Sequence, residues 1–128
     1  MNPNSFVSAL VETVHDASID GVFATLAKPA GRRPSPRLLE LSTWYLSLPA
    51  EDQARLRQVI EQAVHATLFG CLCVLDGART IEDTDDKIEL HLVAVKGNSR
   101  VRLNSPEDEY LHDKYQGLVY ERVYGKEP

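Results

Sequence analysis

Six carboxylates fall within the sixteen residues "LDGARTIEDTDDKIEL" (75–90): Asp76, Glu82, Asp83, Asp85, Asp86 and Glu89. Clustered carboxylates bind hard cations, move protons or meet basic surfaces. A calcium loop needs a glycine at its sixth position and a bidentate glutamate at its twelfth. No register starting at Asp76, Asp83 or Asp85 supplies either. Acid–base catalysis needs two carboxylates held in a cleft with separated pKa values. Adjacent, exposed acids keep ordinary ones. Contact with a basic protein surface is the leading functional reading, with Glu82, Asp83, Asp85 and Asp86 steering the encounter. The plain alternative is a solvated connection between two core elements.

The other charged stretch is "KPAGRRPSPR" (28–37), with Lys28, Arg32, Arg33 and Arg37. Arg32 and Arg33 are candidate contacts for a phosphate or an acidic partner. The plain alternative is a solvated loop whose arginines pair with the chain's own acids, the 82–89 stretch included. His15, His65, His91 and His112 fall one to each expected element, and their spacing supports no metal site. Glu61–His65 and Asp108–His112 sit one turn apart, as helix-stabilising contacts do. An alternative reading assembles His65, His91 and the loop carboxylates into a dispersed enzyme site. Cys71 and Cys73 are two residues apart, which on a helix points the thiols apart. They read as core residues. With no phosphate loop, nucleophile elbow or zinc-binding helix motif, neither cofactor nor metal is expected.

The elements around these residues suit one domain spanning 1–128. The chain has 128 residues, 43% apolar, and a net charge of −5. That size buries a real core, and that charge argues against a nucleic-acid binder. Two cysteines build no disulfide framework, the N-terminus reads as no secretory signal, and the apolar run 66–75 is too short to span a bilayer. A soluble cytoplasmic protein, with no membrane partner, is the expectation.

Asn4 or Ser5 would cap a first helix with Phe6, Leu10, Val14 and Ala17 inward. Asp20-Gly21 weakens it. Ser35-Pro36 opens a second helix carrying Leu38, Leu41, Tyr45 and Leu48 inward. Pro49 to Asp52 open the strongest helix, 50–76. Its segment 66–75 is apolar on every side and so reads as buried on every side. Gly70 there would admit a neighbouring backbone, and Gly77 would end the helix. The period then changes to two: Ile88, Leu90, Leu92 and Ala94 face one way, and Gly97-Asn98 turn the chain into a second strand. Ser105-Pro106, with Asp108, predicts another helix start. Residues 118–124 read equally as helix or strand. The expected fold class is α+β and predominantly helical. Three to four helices surround a central buried one, beside a small antiparallel hairpin or three-stranded sheet. A homodimer through the 66–75 segment, with Phe69 and Val74 outside the main stripe, is one way to cover surplus apolar surface.

Three stretches, "GRRPSPRLLELSTWYLSLP", "LFGCLCVLDGARTIED" and "LNSPEDEYLHDKY", together resemble a group of small single-domain bacterial proteins of unassigned activity. The resemblance covers about residues 28–115. In size, acidity and lack of catalytic motifs the chain is similar to immunity proteins, which neutralise bacterial toxins by binding them. The resemblance implies a bacterial, cytoplasmic, non-catalytic domain whose partner is a protein, such as a basic toxin domain. It assigns no residue a role.

Overall fold

The computed structural model describes residues 1–82, 85 and 88–126. Asn2, not Asn4 or Ser5, caps the first helix: its side chain accepts from the Ser5 N–H at 2.9 Å, and the Ser5 hydroxyl accepts from the Asn2 N–H. This reciprocal box satisfies two donors that a helix start leaves open. Helix α1 (Pro3–Leu10), a π-helical stretch (Val11–Asp16) and α2 (Ala17–Ala27) then run as one rod. Its buried stripe is Val7, Val11, His15, Ile19 and Phe23, in steps of four. In a pure α-helix each such step overshoots a full turn by about 40°. The wider π turn takes up the extra residue, so one face stays inward over the whole rod. The α-helical period misassigned that face. Val14 and Ala17 are exposed, and Phe6 and Leu10 only half-buried.

Helix α3 (Pro36–Ser47) starts as expected, with the Ser35 side chain accepting from the Leu38 N–H. It packs on α2. Ser42 is its one buried residue, and the Ser42 hydroxyl donates to the Leu26 carbonyl at 2.6 Å. Leu41, expected inside, is 45% exposed.

Helix α4 (Ala50–Leu75) has 26 residues, about 39 Å at 1.5 Å per residue. It ends in a Schellman turn: Gly77 has φ +75, its N–H donates to the Val74 carbonyl, and the Ala78 N–H donates to Cys73. α4 packs on the α1–α2 rod and on α5, both on one side. Burial on every side is therefore overturned, and Ala66, Thr67 and Cys71 are exposed. By length and composition alone α4 is apolar enough to cross a membrane, with a mean hydropathy of 1.4 over its most apolar stretch. Gly70 admits no backbone; the Arg79 guanidinium lies over it.

Strands β1 (Val93–Lys96) and β2 (Ser99–Arg102) form a two-stranded antiparallel hairpin, Val93 opposite Arg102 and Lys96 opposite Ser99. Gly97 turns it with φ +57. The Leu103 N–H extends the ladder to the Leu92 carbonyl. The strand expected from Lys87 starts later than that; Lys87 lies outside the described residues, and Ile88 is 68% exposed. Among the described residues no strand pairs with 88–91. The Asn104 side chain substitutes for one, its amide donating to the Leu75 and Leu90 carbonyls and its oxygen accepting from the Leu92 N–H, all at 2.7–2.8 Å.

Residues 105–108 form a turn rather than the expected helix start, closed by the Asp108 N–H on the Ser105 carbonyl. Helix α5 (Leu111–Tyr124) follows, so 118–124 is helical and Gly117 does not interrupt it. The fold is α+β and predominantly helical. Its core divides in two. Val7, Val11, Leu72, Leu111, Tyr115 and Val119 form one cluster. Ile19, Phe23 and Leu26, with Tyr45 and Ile60 against them, form the other. His15 on the rod and His65 on α4 lie in sequence at the junction between the two.

Candidate functional site

Three of the four histidines are buried, and two of them, His15 and His65, are in ring contact with Tyr115. His65 stacks on Tyr115 at 5.3 Å and on Phe69 at 5.9 Å, and His15 meets the Tyr115 edge at 6.0 Å. Phe69 in turn meets the edge of His112 at 5.5 Å. Burial, reinforced by nearby His15, holds the His65 pKa below the ordinary histidine value. Burial and then the Asp16 charge push the Tyr115 hydroxyl up. Both rings therefore stay neutral at physiological pH.

A carboxylate stands at each end of this line of rings. At one end His15 Nδ1 pairs with Asp16 at 3.0 Å, and Arg122 reaches the same carboxylate at 2.6 Å. Burial pushes the Asp16 carboxyl up, but these two hydrogen bonds outweigh it and hold it below the usual value. A cleft of about 270 Å³ opens here, walled also by Arg57 and Glu61. Arg57 is already bonded to Asp20 at 2.7 Å and paired with Glu61 at 3.4 Å. Both guanidiniums are spent on the chain's own acids. The cleft is a polar seam clamping the rod, α4 and α5 together, with no free charge to hold a substrate.

At the other end Asp76, its side chain fully buried, pairs with His112 Nδ1 at 2.7 Å and accepts from the His112 N–H at 2.9 Å. Tyr110, the residue before α5, contributes no side-chain cap. Asp76 therefore ends α4 and caps α5 from 36 residues away, putting negative charge at the positive end of the α5 dipole. This pairing displaces the expected Asp108–His112 contact; Asp108 instead accepts from the Glu109 N–H and faces Lys114. Likewise Glu61 pairs with Arg57, not His65.

His91 stands apart, half exposed and paired with Glu89 at 2.9 Å. Hydrogen bonds from His91 and Arg102 hold Glu89 below the ordinary carboxylate value. No cleft or contact joins His91 to His65 among the described residues. Nor do the described residues hold a metal-binding cluster. Cys73 is buried, as expected, and Cys71 is not. Burial pushes the Cys73 thiol up.

Of the acidic candidates, Glu82 accepts from the Ile88 N–H at 2.9 Å, closing its own loop. Asp85 is exposed, and Asp83 and Asp86 lie outside the described residues. Among the described residues Arg32 and Arg33 are exposed and make no ion pair, and the same holds for Lys28 and Arg37. The expected pairing with the chain's own acids is therefore not seen among the described residues; Asp83 and Asp86 of the 82–89 stretch lie outside them.

α3 continues the basic loop, and four of its large apolar side chains face water. Leu39 is 46% exposed, Leu41 45%, Trp44 48% and Leu46 58%. Leu39 and Trp44, with Glu40, Thr43 and Ser47, line a shallow, open groove of about 460 Å³. The Thr43 and Ser47 hydroxyls donate to carbonyls of their own helix, leaving the Glu40 carboxylate as the groove's unspent polar group. A run of exposed apolar groups on one helix marks an interaction surface more than scattered ones do. The sequence carried the signal: "LLELSTWYLSL" holds seven large apolar residues in eleven, more than one face of a short helix can bury. The chain matches no family model, no curated protein and no solved structure.

Proposed function

We propose that the chain is a non-catalytic protein-binding domain that sequesters a partner protein, as an immunity protein does a toxin, with α3 as its docking face. The observation that carries this is the solvent exposure of Leu39, Leu41, Trp44 and Leu46 on a helix whose one buried residue is Ser42. Tryptophan is the side chain most often found to anchor a protein interface. The acidic loop is the weaker candidate for the face that meets a basic toxin, because Glu82 is engaged with the chain's own backbone. The outer face of α4 is weaker as a dimer contact, since it offers mainly small side chains such as Ala66, Thr67 and Cys71.

The test immobilises the full chain in an extract of its native host and compares Trp44→Ala/Leu39→Ser with Glu82→Lys/Asp85→Lys. Leu39, Trp44 and Asp85 are exposed, and Glu82 is half-buried in a loop outside the helices, so circular dichroism should be unchanged. The α3 pair is expected to abolish capture of the partner and the loop pair to leave it. Retention by the α3 pair with loss by the loop pair would move the docking face to the acidic end and overturn the proposal.

A further inference from the structure

We infer that the segment docked on α3 is an acidic, apolar stretch of the partner protein, held at its acidic end by the loop 28–37. The inference rests on the α3 reading and adds the chemistry of what α3 binds. Charge complementarity carries it. In a chain of net charge −5, Lys28, Arg32, Arg33 and Arg37 stand exposed and without an acid of their own among the described residues. Arg55, Arg57, Arg102, Lys114 and Arg122 are engaged by carboxylates; Arg79, Lys96, Arg100 and Lys126 are also unpaired among the described residues, but only the 28–37 stretch gathers four such cations into ten residues. Arg37 belongs to α3 itself, and the rest of the cluster lies in the loop leading into it. A ligand lying along the Leu39–Trp44 groove therefore meets guanidiniums where it passes the start of the helix. Arginine forks pair carboxylates in two parallel hydrogen bonds, so they fix register as well as attract.

The groove argues for a polypeptide over a lipid surface. Leu39 and Trp44 share it with Glu40, Thr43 and Ser47. An anionic bilayer would be repelled by Glu40. A helix or strand bearing leucine-like side chains can pack on Leu39 and Trp44 and offer Glu40 a donor.

Trp44 is the chain's one tryptophan, so its emission reports the groove directly. The probes are two synthetic 14-residue peptides with leucines at one-turn spacing, flanked at one end by three glutamates or by three lysines. Vesicles of anionic phospholipid are the third. The expected result is a blue shift with the glutamate peptide. Its affinity should exceed that of the lysine peptide by about tenfold in low salt, as several screened charge pairs provide. Arg32→Glu/Arg33→Glu should reverse the preference. Equal binding of both peptides, unchanged by that variant, would overturn the acidic inference and leave the α3 reading standing. If neither peptide shifts Trp44, and Trp44→Ala/Leu39→Ser still captures the host partner, the α3 reading falls with it. A shift with vesicles alone would make the occupant a lipid surface and overturn the inference.

Discussion

Replacing Asp76 by alanine removes both supports that this carboxylate gives to α5. The capping contact to the His112 N–H is worth about 1 kcal/mol. Leaving the buried His112 ring nitrogen without its partner costs about 1–3 kcal/mol more. The sum, about 3 kcal/mol, lies at the lower edge of the range for breaking a buried pair. Asp76 has an ordinary right-handed conformation, φ −81 and ψ −4, so alanine adds no backbone strain at the end of α4. Asp76→Asn keeps an acceptor for the N–H and should lose about half as much. Urea unfolding followed by circular dichroism reads both values, and the alanine variant should melt about 10 °C lower. A double-mutant cycle with His112→Ala should return a coupling of about 1–2 kcal/mol. A loss below about 1 kcal/mol for Asp76→Ala, or additive single mutants, would refute the claim that this side chain joins two helices.

His65 should make stability pH-dependent. Its folded pKa is depressed by burial, so the unfolded chain binds the proton better; stability is full above about pH 6.5 and falls as pH drops toward the folded value, by at most about 1.4 kcal/mol per unit. His65→Phe should flatten denaturation midpoints measured between pH 7 and 5. Asp16 acts in a separate window: its folded pKa is lowered, so its contribution is present above about pH 4 and lost below. Cys71 should react with a thiol reagent in the native protein and Cys73 only on unfolding, counted as one and then two labels by mass spectrometry. Gly70→Ala should be neutral or stabilising by up to about 1 kcal/mol, because only the movable tip of Arg79 must yield. Gly77→Ala should destabilise by about 1 kcal/mol at its left-handed φ. Equal effects in a thermal melt would contradict this assignment.

Local signals were legible where local physics decided the outcome. Ser35-Pro36 started α3, Gly77 stopped α4 and Gly97 turned the hairpin, each through backbone geometry confined to a few residues. What the chain did not declare depended on distant partners. No rule of spacing joins Asp76 to His112, so the start of α5 was sought at Ser105, whose own turn mimics a cap. Asn104 supplied backbone contacts that a strand pattern had assigned to a sheet. The π turn hid the inward face of the first rod, because an α-helical period cannot register four successive steps of four. His65 and His112 were read as helix-stabilising partners of acids one turn away. The contacts of His65 with Tyr115 and of His112 with Phe69 form only when α4 and α5 pack. The α3 surface was visible in composition, but the period assigned Leu41 to the core and gave Leu39, Trp44 and Leu46 no place.

The Asn104 amide has a consequence for how this sequence can vary. One side chain clasps the carbonyls of Leu75 and Leu90, so the two ends of the intervening segment are fixed without help from its interior. Lengthening such a closed loop costs little, well under 1 kcal/mol for a few added residues. The exposed pair Thr80-Ile81 is therefore a permissive insertion point, where a tag, a fluorophore site or a protease site would be carried without disturbing the helices.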